Sequence, residues 1–492
     1  MEINPRRSLP KLKWITAVIV FVLAGITMAQ QQTELIIRNG LVVTSFGRTQ
    51  ADLRIRNGTI TEIGPNLATA AGAQMIDASG KLVLPGGIDP HVHLTPIRTA
   101  TTGAGADDYT SASRAALAGG TTTIGTFIAQ DPDMNAATTL TEATEIVKKQ
   151  AIADVILHYT VNDPTKMTPA DIAMMFERQF TLKIFMSRPA FDQNIANYMN
   201  LIRSAGAAGL LTMLHAEDSG ILTTTRQRMM AEGRSLLKGQ NFADAGPVVA
   251  EEVATQRAVG ISEVTGAPVF LVHMSAERSM RVAEAARARG VPVYTEVRFI
   301  YLHLTKDRFN QPDGQIYTGA PPLREKSDQD YIWSALARGS VDVVDTDHVG
   351  YTRAEKMDPE NTIMRARNGA NYLQDQMPLL YSEGVRKGRI TLERMVAMTS
   401  TNPAKLFGLY PRKGTIAVGS DADVVIWDPD LTKTIRDEDI LSNGKFSIFN
   451  GWEVRGWPIV TLRRGEVVYQ NGKILAAPGS GRLAPRQHWQ KP

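Results

Sequence analysis

Eight short apolar runs, each followed by a stretch of different composition, constrain this chain more than any other feature. They occupy residues 83–89, 121–128, 154–161, 180–186, 210–216, 268–274, 291–297 and 341–347, and intervals such as 248–265, 276–289 and 327–338 carry helical spacing. Strand and helix alternating in this way predict an α/β protein whose parallel strands close into a (β/α)8 TIM barrel. A doubly wound sheet is the rival arrangement, but no G-x-G-x-x-G turn follows the first run.

In a barrel of this kind the carboxyl ends of all strands meet on one face, so distant residues converge on one pocket. His91 and His93, Lys183, His215, His273 and Asp347 all lie at or near such ends. Residues two apart on an extended chain point the same way, so His91 and His93 can face one ion. Lys183 sits inside Phe180-Thr181-Leu182-Lys183-Ile184-Phe185-Met186. Burial there favours the neutral amine, which can add carbon dioxide and become a carbamate able to bridge two cations. A lysine snorkelling to the barrel rim is the alternative. Asp347 closes the set, with Asp345 its rival two residues earlier; a carboxylate ending a buried strand is costly without a cation. His158, His303, His348 and His488 have no comparable setting and read as structural or supporting residues.

The chain has no cysteine, so any metal site is built from His and oxygen donors. Four imidazoles, a carboxylate and a carbamate suit two divalent ions, zinc above all, with Mn2+, Co2+ or Fe2+ as alternatives. Such a pair makes water a nucleophile at neutral pH through a metal-bridging hydroxide, with Asp347 as the proton shuttle.

Residues 33–84 and 412–478 read as short strands with Asn39-Gly40, Asn57-Gly58 and Asn471-Gly472 as hairpin turns. The two segments predict one small β-sandwich built from both ends of the chain, with the barrel at 85–411 and a tail at 479–492, either an extended arm or a disordered end. Residues 1–29 have the order of an export signal: Arg6, Arg7, Lys11 and Lys13, then an apolar run from Trp14 to Ala29. Pro5-Arg6-Arg7-Ser8-Leu9 also resembles a twin-arginine signal. The expected location is periplasmic or extracellular, with membrane contact only if the leader stays as an anchor. Four basic residues against Glu2 give this segment +3 of the net charge of +4, so the charge gives no sign of a nucleic-acid surface.

At this point the sequence resembles the cyclic amidohydrolases of the dihydropyrimidinase and D-hydantoinase family. The resemblance spans about residues 33–478 and rests on Pro85-Gly86-Gly87-Ile88-Asp89-Pro90-His91-Val92-His93, Leu182-Lys183-Ile184-Phe185-Met186, His215-Ala216-Glu217, Val272-His273-Met274-Ser275, Pro321-Pro322-Leu323-Arg324 and Thr346-Asp347-His348. It implies a binuclear zinc site with Lys183 as N6-carboxylysine, opening of a hydantoin- or dihydropyrimidine-like ring, and a homotetramer. Asn368-Gly369 resembles the family's substrate-backbone contact. Three departures bear on substrate: Arg188 stands where the family carries a tyrosine, Glu296-Val297-Arg298-Phe299 replaces Glu-Thr-Cys-Pro, and Ala320 replaces a serine. Arg188 is thereby a substrate-binding candidate, suited to an oxyanion or a carboxylate. An allantoinase-like or other C–N amidohydrolase is the alternative within the enzyme class. A non-catalytic interaction protein on the same scaffold is the alternative outside it.

Overall fold

The computed structural model describes residues 34–94, 106–178 and 180–492, so the leader lies outside the described residues. Among these residues no helix is long and apolar enough to cross a membrane. Seven parallel strands follow one another around the barrel in chain order: Gly87–His93, Thr121–Ala129, Asp154–Thr160, Thr181–Phe185, Thr212–His215, Val269–Leu271 and Val293–Arg298. The eighth is split into Val343–Asp345, which pairs with the seventh, and His348–Val349, which pairs with the first and closes the ring. The expected helices are present at Val248–Thr265, Glu277–Ala288 and Lys326–Arg338. Gly266 at φ 68° and Gly339 at φ 90° end the first and last of these in the left-handed conformation that glycine tolerates.

The first apolar run, 83–89, is two strands and not one. Leu82–Pro85 belongs to the sheet of the terminal segments, and the barrel strand begins at Gly87. Gly86 is the joint: its N–H donates to the Asp423 carbonyl, and a Cβ there would lie 2.2 Å from Thr122 Oγ1. Hydropathy carries no mark of this change of sheet, because both halves are buried.

The terminal segments join in one connected sheet. Its order runs from Lys473–Ile474 through Glu466–Gln470, Glu453–Arg463, Val424–Thr434 and Leu82–Pro85 to Glu34–Thr44, Gly47–Arg56 and Thr59–Gly64. Leu35, Leu53, Ile60, Val424 and Leu462 meet in a core separate from the barrel's. Asn57-Gly58 and Asn471-Gly472 are tight turns with positive φ, as the sequence predicts. Asn39-Gly40 is not: Glu34–Thr44 is a single strand, and Asn39 at φ 60° marks a bulge inside it. The left-handed preference of asparagine serves a bulge as well as a hairpin. Asp423 links sheet to barrel, accepting from Thr122 Oγ1 at 3.0 Å and from the Arg464 backbone at 2.7 Å.

The tail is an arm. Leu483 bridges Val155 at the start of the third barrel strand, Arg486 Nε donates to the Phe407 carbonyl, and Trp489 packs on Tyr294. It therefore lies against the amino ends of the strands, leaving the opposite mouth to the site.

Candidate active site

His91 and His93 end the first strand, and both Nε2 atoms reach Asp347 Oδ1, at 3.2 and 3.1 Å. Phe127 on the second strand packs against both rings. Asp89, two residues before His91, accepts from the His91 N–H and from Thr346 Oγ1 at 2.6 Å, latching the first strand to the eighth. Asp347 sits in the break of the eighth strand at φ 47°, a left-handed conformation. That turn breaks the strand alternation. Asp345 consequently lies behind His91 beside Glu296, while Asp347 meets the histidines. The two carboxylates are rivals in sequence only.

Lys183 is fully buried on the fourth strand, with Nζ 5.0 Å from the Phe127 ring centre and 5.1 Å from that of Phe185. The amine has no hydrogen-bond partner among the described residues. Burial, opposed by Glu296, Asp347 and Asp345, brings its pKa down to about 8. His215 ends the fifth strand and His273 follows the sixth, their Nδ1 and Nε2 atoms 2.8 Å apart. His215 Nε2 donates to Glu217 at 2.8 Å, which leaves Nδ1 as the lone-pair face of the ring. Burial also holds His91, His215 and His273 below the ordinary histidine range, so they are neutral imidazoles able to donate lone pairs.

For Asp347, burial would raise the carboxyl, but Arg298 and His93 outweigh it and hold the group below the usual range. Arg298 Nε lies 3.3 Å from Asp347 Oδ2. Behind His91, burial pushes Glu296 up to about 8, and burial with neighbouring carboxylates holds Asp345 well above the usual carboxylate range. Glu296 accepts from His91 Nδ1 at 2.8 Å, so His91 Nε2 is free to face Asp347.

A cavity of about 200 Å3 opens over this cluster. His91, His93, Lys183, His215, His273 and Asp347 all line it, as does the predicted Asn368. Arg188 does not. Its side chain donates to Asn162 Oδ1 and its guanidinium lies 4.3 Å from the Phe185 ring centre, so Ser187 takes the lining position instead. Glu217 and Arg226 also line the cavity, and sequence reading gave neither a role. Lys356 was missed as well. Its buried amine donates to Thr318 Oγ1 and the Gly369 carbonyl, both at 2.7 Å, tying together the loops that carry Ala320 and Asn368. The remaining histidines have structural partners: His158 with Thr181, His348 with Asp107, and His303 and His488 among aromatic rings.

The donor set fits divalent cations. A buried amine with no hydrogen-bond partner among the described residues is unfavourable without a further group beside it, and the neutral imidazoles around it carry lone pairs that a cation can accept. Ligand atoms of His91, His93 and Asp347 already lie within 4.8 Å of one another.

Fold and site together define a parallel barrel with a candidate His/Asp metal site at its mouth. Residues 82–468 match the amidohydrolase family. The D-hydantoinase of Ralstonia pickettii is 34% identical over 465 residues, covering 93% of this chain and 100% of that protein. The D-hydantoinase of Geobacillus stearothermophilus is 34% identical over 469 residues, covering 92% and 96%. The crystal structure of a dihydropyrimidinase from Brevibacillus agri superposes with a TM-score of 0.88 at 34% identity, covering 94% of this chain and 100% of that one. The chain belongs to the amidohydrolase family, in its hydantoinase and dihydropyrimidinase branch.

Proposed function

We propose that this protein is a metal-dependent hydrolase that opens a cyclic amide of the hydantoin or dihydropyrimidine type. One observation carries the reading: a buried, unpartnered Lys183 amine encircled by four imidazoles and Asp347 on one cavity wall. His91 and His93 would hold one divalent ion and His215 and His273 a second, zinc or otherwise Mn2+, Co2+ or Fe2+, with Lys183 between them as N6-carboxylysine. When bound, such ions supply Lewis acidity and lower the pKa of water from about 15.7 toward about 7. The neutral lysine amine would form an N–C bond to carbon dioxide and release a proton, giving a carbamate whose oxygens would be offered to the cations. Asp347 takes the proton from the attacking water and returns it to the leaving ring nitrogen. Asn368 and the adjacent backbone orient the ring, with Phe185, Leu222 and Val349 as apolar walls that exclude water.

Ring opening of hydantoin, dihydrouracil, allantoin and dihydroorotate tests this directly. Hydantoin or dihydrouracil should be opened, the activity should disappear on chelation, and Zn2+, Mn2+ or Co2+ should restore it. Turnover of allantoin alone would favour the allantoinase-like alternative. A metal-replete protein that opens none of the four would remove the reading and favour the interaction role.

Arg188→Ala is expected to change kcat/KM by less than about threefold, because the guanidinium is spent on Asn162 and Phe185; a rim contact is worth about 1 kcal/mol or less. A loss of tenfold or more would show that Arg188 swings into the cavity to grip substrate. The same reading includes export by the leader and a homotetramer, checked by the amino terminus of protein recovered from culture and by its mass in solution.

A further inference from the structure

Arg298 occupies a setting that a merely stabilising residue does not need. It ends the seventh strand, is 0% exposed, and forms its ion pair with Asp347, Nε to Oδ2 at 3.3 Å. That pair is one of charge, since Nε makes no hydrogen bond among the described residues, and the other contacts are of similar length: Nη1 to the Tyr301 hydroxyl at 3.3 Å and Nη2 to the Tyr372 hydroxyl at 3.4 Å. Both rings flank it, at 5.4 and 5.6 Å from the central carbon. The backbone makes room for it at Gly319, where a Cβ would lie 2.7 Å from Nη1. Replacing a buried ion pair by apolar side chains is often neutral or stabilising, so packing alone gives little reason for a guanidinium in this place.

Asp347 supplies the reason. Its backbone is left-handed, at φ 47°, so neither strand pairing nor side-chain alternation fixes where the carboxylate points. The terminal torsion of an aspartate is soft and roughly two-fold. With Oδ2 held by Arg298, Oδ1 faces His91 and His93.

We propose that Arg298 is a positioning residue for Asp347, holding one carboxylate edge so that the other stays turned to the histidines for proton transfer. The inference rests on the reading of Asp347 as the proton carrier.

The test compares metal-loaded wild type, Arg298→Met and Arg298→Lys on whichever ring the wild type opens. Arg298→Met should lower kcat by tenfold or more with KM within about twofold and metal content unchanged. Guanidinium below denaturing concentration should restore part of kcat where equal sodium chloride or urea does not, and Arg298→Lys should fall between the two. A crystal structure of Arg298→Met should show the Asp347 carboxylate rotated, a readout that stands even if no substrate is found. The proposal is overturned if Arg298→Met keeps its kcat per metal-loaded site and loses only thermal stability, or if Asp347 keeps its orientation. A wild type inactive on every ring would instead overturn the proposed function.

Discussion

Lys183→Met is expected to abolish ring opening, by about 10³-fold or more, while leaving the fold intact. The wild-type amine is buried between Phe127 and Phe185 with no hydrogen-bond partner among the described residues, so a methionine of similar length exchanges a buried polar head for a thioether that suits aromatic surroundings. Thermal stability of the metal-free protein should therefore be unchanged or higher. Function should collapse, because the bridge between the two proposed cations is gone. Lewis-acid stabilisation is worth several kcal/mol, and each 1.36 kcal/mol is a factor of about ten in rate. Metal analysis and turnover on one preparation check both halves; an active Lys183→Met would exclude a bridging lysine.

The same residue carries a pH dependence with a definite sign. Only the neutral amine adds carbon dioxide, and burial brings the Lys183 pKa down to about 8. At fixed carbon dioxide pressure, recovery of activity by metal-stripped protein should be slow below that pH and rise through about 8 to a plateau. A recovery rate that is flat or falls across that range would contradict carboxylation of the neutral amine.

Asp347→Asn should be nearly as damaging, for a different reason. The amide cannot carry the proton between water and leaving nitrogen, and general acid–base catalysis contributes about 10²–10⁴-fold. It also leaves the Arg298 guanidinium buried without its anion. Breaking a buried pair from one side costs about 3–5 kcal/mol. Asp347→Asn is thus expected to lower thermal stability as well as kcat, and adding Arg298→Met should recover the stability without recovering turnover. A double-mutant cycle on unfolding measures this coupling; additive losses would mean that the two side chains do not interact as described.

The barrel was legible because its signal is repeated: one strand–helix unit is ambiguous, but a succession of them is not. The cavity-lining histidines, Lys183 and Asp347 were legible for a related reason, since each interrupts an apolar strand near its carboxyl end. What stayed hidden depends on backbone geometry or on long-range partners. Asn39-Gly40 has the residues of a hairpin, yet flanking pairing makes it a bulge. The 83–89 run hides a change of sheet at Gly86, because buried strands of either sheet look alike. Asp345 and Asp347 share a face on an ideal strand, and only the left-handed φ of Asp347 separates them. Arg188 drew attention as a departure from the family pattern, but Asn162, 26 residues away, decides where it points. Arg226 and Lys356 carried no signal at all, since a basic residue in a polar stretch reads as solvated surface. Arg298 stood out only within a run that departs from the family pattern, and its place at a strand end against Asp347 could not be read from the sequence.

Everything proposed for this site requires that Lys183 and the surrounding imidazoles hold a pair of divalent ions. Elemental analysis of active wild-type protein beside Lys183→Met measures this most directly. Two equivalents of divalent metal per chain are expected in the wild type and fewer in the variant, with turnover falling in step. Full turnover from a wild type holding less than one equivalent would contradict it.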